Sequence, residues 1–341
     1  MHAMNIGLMT RKRYSGTLSL FFLFFLATIA ITPLIGSTQI NLGKAFSNEL
    51  AFSDNVDANI LFLARVPRIF LAALTGAALS VAGAVFQSLL RNDLAAPFTL
   101  GVSSGAALGA VIAMSLGLHY TVAGIPTVPI AAFLGALGAI TLVFSLARTR
   151  TGEFPTTVLL LAGVTVNFFF AALVMLIHYL SDFTQSFRIV RWLMGGLDIT
   201  SYKTLISISP MIFIGFGVLM AFSRDLNVIS TGIQSAISRG VEVVKVQKIG
   251  FIMASLLTGA VVALSGPIGF VGLIVPHIVR LIVGPDLRIL LPASMFFGAS
   301  FLIMCDTLAR TIIAPTEIPV GIITAMLGGP FFVWLLKRPK A

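Results

Sequence analysis

A window of about twenty apolar residues, the length that crosses a bilayer core as a helix, recurs ten times in this chain of 341 residues. The windows lie at about 17–36, 60–82, 97–118, 122–147, 156–180, 203–222, 246–264, 268–284, 288–312 and 317–336. No soluble domain accommodates such a pattern. Hydrophobic residues make up 57% of the chain, charged residues 10%, and the mean hydropathy is +1.03, against roughly 25% charged in a soluble domain. The pattern dictates an all-α polytopic membrane protein, a single transmembrane domain over 1–341 with about ten helices. Residues 1–16 and 337–341 are read as tails, and 226–241 as the loop between the sixth and seventh spans.

Several windows are not smooth. Ser265-Gly-Pro-Ile-Gly-Phe-Val-Gly-Leu-Ile-Val-Pro-His-Ile-Val-Arg280 holds three glycines, two prolines and a histidine. Glycine and proline at membrane depth free backbone groups that neighbouring helices or a water-lined cavity must satisfy. A packed bundle with a path through it is expected. Gly101, Gly105 and Gly109 recur every fourth residue, as do Ala72, Gly76, Ser80 and Ala84; small residues at that spacing let helix backbones approach. Leu74-Thr-Gly-Ala-Ala-Leu-Ser-Val-Ala-Gly83 and Leu257-Thr-Gly-Ala-Val-Val-Ala-Leu-Ser-Gly266 share five identities in ten positions. They sit five helices apart, and an odd offset gives the copies opposite orientation. An inverted repeat of helices 2–5 and 7–10 is expected.

The net charge of +10 is distributed for a membrane rather than for nucleic acid. With the N-terminus in the cytosol, Lys44, Arg65, Arg68, Arg188, Arg191, Lys203 and Arg310 fall outside, and the rest of the 22 basic residues fall inside. This is the positive-inside bias; no single contiguous basic surface is apparent. Ten spans bring both termini to the cytosol. Arg11-Lys-Arg13 before a Phe/Leu run resembles a signal peptide, but the apolar stretch continues to Gly36, and an uncleaved first helix is the reading. Cys305 stands alone in an apolar span, which excludes a disulfide framework. His2, His119, His178 and His277 lack paired metal-ligand spacing. His277 follows Pro276 and is read as a neutral imidazole bonding a freed carbonyl. There is no phosphate-binding loop, since Gly43-Lys44 is followed by Ala45. Only Asp306 and Glu317 place carboxylates in the spans, few for a proton-coupled antiporter.

Arg65-Val-Pro-Arg68, Gly83-Ala-Val-Phe-Gln87, Asn92-Asp-Leu-Ala-Ala-Pro-Phe-Thr-Leu-Gly-Val-Ser-Ser-Gly-Ala106 and Leu159-Leu-Leu-Ala-Gly163 follow one another along the chain. Arg191-Trp-Leu-Met-Gly-Gly196, the 265–280 segment, Gly284-Pro-Asp-Leu-Arg288 and Glu317-Ile-Pro-Val-Gly321 complete the series. In order and content these blocks resemble the FecCD family, the permease subunits of ABC importers for iron chelates, haem and cobalamin. The 226–241 loop departs from the family pattern: Ile233 and Gln234 stand where acidic residues are usual, and Arg239 where leucine is common.

The resemblance implies a transport subunit rather than an enzyme, in a bacterial or archaeal cytoplasmic (inner) membrane. It would form a homodimer on two cytosolic ATPase subunits, with a periplasmic or lipoprotein solute-binding protein delivering an iron(III)-siderophore complex. Haem and cobalamin are the alternative cargoes, and a secondary transporter without an ATPase is the alternative class. No cofactor is expected in this chain, ATP and Mg being held by the ATPase. Arg65, Arg68 and Arg310 would receive carboxylates of the binding protein, against lipid-headgroup snorkelling. Gly232, Ile233, Ala236, Ile237 and Gly240 would form a short amphipathic helix set in a groove of the ATPase, against rest on lipid. Asn92, Leu94, Thr156 and Thr157, with Ser103 and Ser104, would line the path and its cytosolic gate. The plainer readings are a turn for Asn92-Asp93 and a helix start for Thr156 and Thr157.

Overall fold

The computed structural model describes residues 11–47, 54–118, 120–122, 124–147, 155–198 and 202–337. It begins with α1 (Arg11–Ile31), followed by the short α2 (Leu42–Ala45) and α3 (Val56–Asn59). A π-turn at Ile60–Arg65 runs without a break into α4 (Val66–Leu90). Next come α5 (Val102–Ser115), a hairpin of β1 (Thr121–Val122) and β2 (Ile125–Pro126), α6 (Thr127–Ala147) and α7 (Thr156–Leu180). The series continues with α8 (Phe183–Leu193), α9 (Tyr202–Ala221), α10 (Ser223–Thr231), α11 (Ile233–Ser238) and α12 (Val243–Ser265). It closes with α13 (Val271–Val283), α14 (Leu287–Thr311) and α15 (Val320–Lys337).

Among the described residues seven helices are long and apolar enough to cross a membrane: α1, the Val56–Leu90 run, α6, α7, α9, α12 and α14. The apolar helices α5, α13 and α15 are shorter. These are the ten expected segments, with corrected ends. The second is 35 residues long rather than ending at 82; its last turns stay helical because Val81–Leu90 is buried throughout and Arg91 closes it in the left-handed conformation (φ 48°). The third is cut short where Pro97 and Gly101 interrupt the helical ladder, and the eighth starts only at Val271, after Phe270 in the left-handed conformation (φ 67°). The fourth begins with the hairpin, α1 starts at Arg11, and the 226–241 loop is largely helical. Residues 1–10, 119 and 338–341, among them His2 and His119, lie outside the described residues.

Neighbouring helices approach backbone to backbone. A Cβ on Gly76 of α4 would strike the carbonyl of Gly298 on α14, and one on Gly83 would strike Gly272 on α13. Gly105 and Gly109 of α5 sit against Gly135, Ala139 and Ala131 of α6. Small residues are thus the packing surface between helices, where lipid supplies no hydrophobic drive. The packing also follows the internal echo. α4 packs on α14 and α13 while α12 packs on α6 and α5; α5–α6–α7 form one mutually packed set and α13–α14–α15 another. At the echoed glycines, Gly76 meets α14 and Gly259 meets Ala136 of α6, as an exchange of the two halves requires.

Below, the face carrying α10 and α11 is called basal and the opposite face distal. α7 is the least enclosed of the internal spans: Leu161, Phe168, Met175 and Tyr179 are all exposed.

Candidate functional sites

The distal cluster is assembled by the π-turn and start of α4, the last turns of α14 and the turn before α15. Arg68, two residues into α4 after Pro67, turns its guanidinium toward α14, where Asp306 is 1% exposed. Nε and Nη2 donate to Asp306 Oδ1 at 3.0 and 2.9 Å, and Nη1 donates to Glu317 Oε2 at 2.6 Å, with Asp198 Oδ1 at 3.8 Å. Arg310, one helical turn beyond Asp306, has its Nε 3.1 Å from Asp306 Oδ2 and is itself buried. Arg65 is equally buried, and donates to the carbonyls of Pro33 (2.7 Å) and Thr38 (2.5 Å), tying the turn after α1 to the bundle.

A cavity of about 300 Å³ opens among Arg65, Arg68, Arg310, Asp198 and Glu317. Beside it, one of about 510 Å³ is lined by Arg68, Arg191, Phe187, Met194 and Glu317. Around these cavities the arginines outnumber the carboxylates, so the cluster can accept a further anionic group.

The three arginines singled out from the sequence are thus brought together. They differ from the expectation in being held inside the chain: Arg65 and Arg310 are buried and Arg68 already has carboxylate partners. The sequence marks Asp306 and Glu317 only as membrane carboxylates. The Asp306–Arg310 spacing of four residues was the one available signal, whereas Arg68–Asp306 spans 238 residues.

On the basal face α10 and α11 meet at Gly232, whose φ of 141° only glycine adopts with ease, and α11 ends before Gly240 (φ 78°). Both glycines bracket a short apolar helix, as expected. Its orientation is a correction: Ala236 is wholly buried and holds α11 to the bundle, while Ile237 is 55% exposed and Ile233 lies half-buried. Asn227 of α10 was not anticipated. Its Nδ2 donates to Asp286 Oδ1 at 2.7 Å and its Oδ1 accepts from the Leu287 backbone N–H at 2.8 Å. Asp286 caps α14 by accepting from the Arg288 N–H and side chain, and the Arg288 bonds hold its carboxyl below the usual carboxylate range.

The expected gate residues occupy the basal turns. Asn92 Oδ1 accepts from the Leu94 N–H at 2.9 Å, an Asx turn that leaves Leu94 exposed. Thr156 and Thr157 form the first turn of α7 after Pro155, the first half-buried and the second exposed. Ser103 and Ser104 are buried inside the subunit, and Ser104 Oγ donates to the Gly101 carbonyl at 3.0 Å. An Arg280–Asp93 ion pair, with Arg280 Nη2 donating to Gln87 Oε1 at 3.0 Å, braces the same turn from α13; neither was foreseen. The His277 ring stands edge-on to Phe331, centroids 6.0 Å apart. Among the described residues no cluster of three His, Cys, Asp or Glu could hold a metal ion.

A ten-segment helical bundle with a charged distal cluster and a helical basal loop defines a polytopic membrane permease. The chain belongs to the FecCD transport family, whose model matches residues 21–338. It is 38% identical to the hemin transport system permease protein of Yersinia pestis, over 93% of this chain and 95% of that one. It is 32% identical to the Fe(3+)-citrate import system permease protein of Bacillus subtilis (97% and 98%), and 44% identical to the cobalamin import system permease protein of Halobacterium salinarum (80% and 72%). A solved metal-chelate type ABC transporter in an inward-facing conformation superposes with a TM-score of 0.81 at 31% identity, covering 96% of this chain and all of that one. The protein is therefore an ABC importer permease of a cell membrane, whose ATPase is a separate subunit and whose partners include a substrate-binding protein and a second permease chain.

Proposed function

We propose that this permease conducts an iron(III)-siderophore complex. The observation that carries this reading is the likeness, over nearly the whole chain, to a transporter of metal-chelate type. Its likeness to an iron-citrate permease points the same way. Haem and cobalamin are the second reading, favoured by the relatives named for those cargoes.

Two copies of the chain would pack through the exposed apolar faces of α7 and α15. The basal face would lie in the cytosol on two ATPase subunits, which hold ATP and Mg, leaving this chain without a cofactor of its own. Asn92, Leu94, Thr156 and Thr157 would form the gate: the short polar side chains of Asn92 and the two threonines solvate a passing chelate without trapping it, whereas a fixed charge would bind or repel it. Ser103 and Ser104 would support that gate from within. Gly232, Ile233, Ile237 and Gly240 would shape the contact with the ATPase, and Ala236 would anchor it. A carboxylate of the binding protein would exchange for Glu317 or Asp198 at Arg68, with Arg65 and Arg310 supplying the surrounding positive field.

The test titrates the cognate binding protein, by intrinsic fluorescence quenching, against ferric hydroxamate and catecholate siderophores, haemin and cobalamin, then follows uptake by the reconstituted complex. Quenching and uptake with a ferric siderophore alone is the expected result. Tight binding of haemin or cobalamin alone would replace this reading with the second.

A further inference from the structure

We propose that α14 is a strut tying the basal coupling segment to the distal arginine cluster, with the Asn227–Asp286 contact as its basal joint; this rests on the permease reading above. α14 has 25 residues, about 37 Å at 1.5 Å per residue, enough to link the two faces in one element. Each end is bonded to a functional cluster. At the distal end the Asp306 carboxylate is shared by the guanidinium groups of Arg68 and Arg310. At the basal end Asn227 of α10 grips the helix start at two points, the Asp286 carboxylate and the Leu287 N–H.

The nature of that grip matters. The first amides of a helix have no partner within it, so the Asn227 carboxamide supplies a cap from another helix. An apolar contact can slide. A two-point hydrogen bond to a helix terminus fixes both the distance and the angle between α10 and α14. Tyr14 of α1 adds a third attachment, its hydroxyl donating to the Arg288 carbonyl at 2.8 Å.

Between its ends α14 is closely held. Leu290, Leu291, Ala293 and Leu302 are fully buried, and Gly298 lies against Gly76 and Ser80 of α4 with no room for a Cβ. A close-packed interface of this kind transmits displacement rather than absorbing it. A shift of α10 imposed by the ATPase would therefore reach Asp306, Arg68 and the two distal cavities. Spatial continuity alone does not establish coupling, so the test measures the response itself.

A reporter cysteine at exposed Thr316, beside Glu317, is introduced in a Cys305→Ser background. The complex is purified through a tag on this chain and labelled with a membrane-impermeant maleimide, without nucleotide and after trapping with ATP and vanadate. With Asn227 intact, trapping should change the labelling rate by roughly fivefold or more, the range of ordinary site-to-site coupling. In Asn227→Ala and Asn227→Asp the response should collapse while the ATPase subunits still co-purify. Asn227→Asp combined with Asp286→Asn exchanges donor and acceptor, re-forms both contacts and should restore the response; failure to restore it would show that the response does not run through this joint.

A full nucleotide response in Asn227→Ala, or none with Asn227 intact, overturns the strut. Loss of the ATPase subunits from Asn227→Ala also overturns it, by assigning Asn227 to assembly. Absence of ATPase subunits from the complex with Asn227 intact would instead remove the permease reading, and the strut with it.

Discussion

Asp306 is a carboxylate at 1% exposure inside an apolar helix, tolerable only because Arg68 and Arg310 both reach it. Removing one partner of a buried pair typically costs about 3–5 kcal/mol, because the remaining charge is left uncompensated. Asp306→Asn leaves the buried Arg310 and the half-buried Arg68 without their shared anion and should lower the thermal midpoint in detergent by several degrees. Glu317, 44% exposed at its side chain, is worth within about 1 kcal/mol, so Glu317→Gln should scarcely move it. Equal damage from both would refute the assignment of Asp306 as the centre of the cluster. Asp286 behaves differently with pH. Its carboxyl is held below the ordinary range by Arg288, so its contribution is complete above the unfolded value near pH 4 and is lost only as pH falls through the lower folded value. The stability difference between the protein and Asp286→Asn should accordingly be flat above about pH 5 and shrink below about pH 4.

Among the elements, α11 separates what periodicity reveals from what it leaves open. Its apolar residues, Ile233, Ala236 and Ile237, are plain in the sequence, and Gly232 and Gly240 mark its limits. A helix of six residues makes under two turns, too few for a spacing pattern to say which of them faces the bundle. Packing decides it: Ala236 fits inward and Ile237 stands out. Ile237→Asp should therefore release the ATPase on detergent purification while leaving the thermal midpoint unchanged. Ala236→Asp should lower the midpoint, since it buries an unpaired carboxylate. The reverse pattern would mean that α11 is turned over in the complex. α14 shows the same division, its Pro292 and small residues legible as a packed span but its bonds to Asn227 and Arg68 not.

For the molecule as a whole, α7 and α15 both present exposed apolar faces, where a second copy would sit across the path. Cysteines at Leu94 or Thr157, in a Cys305→Ser background, should cross-link between subunits with an efficiency that changes when ATP is trapped. No cross-link in any nucleotide state, with transport intact, would take these residues out of the pathway. The sequence by itself determined the class, the ten apolar segments, the internal echo and the family, because each is written in local composition, in spacing or in blocks of consecutive residues. It also located the arginines, the two loop glycines and the basal turns. Only the tertiary structure decided how far Val56–Leu90 extends as one helix, which side of α11 faces out, and that Arg68 is already paired. Those outcomes depend on residues as distant as Arg68 and Asp306, or Asn227 and Asp286, meeting in space. No periodicity encodes such a meeting, since the energy of a buried ion pair or a shared helix cap exists only once both partners are in place.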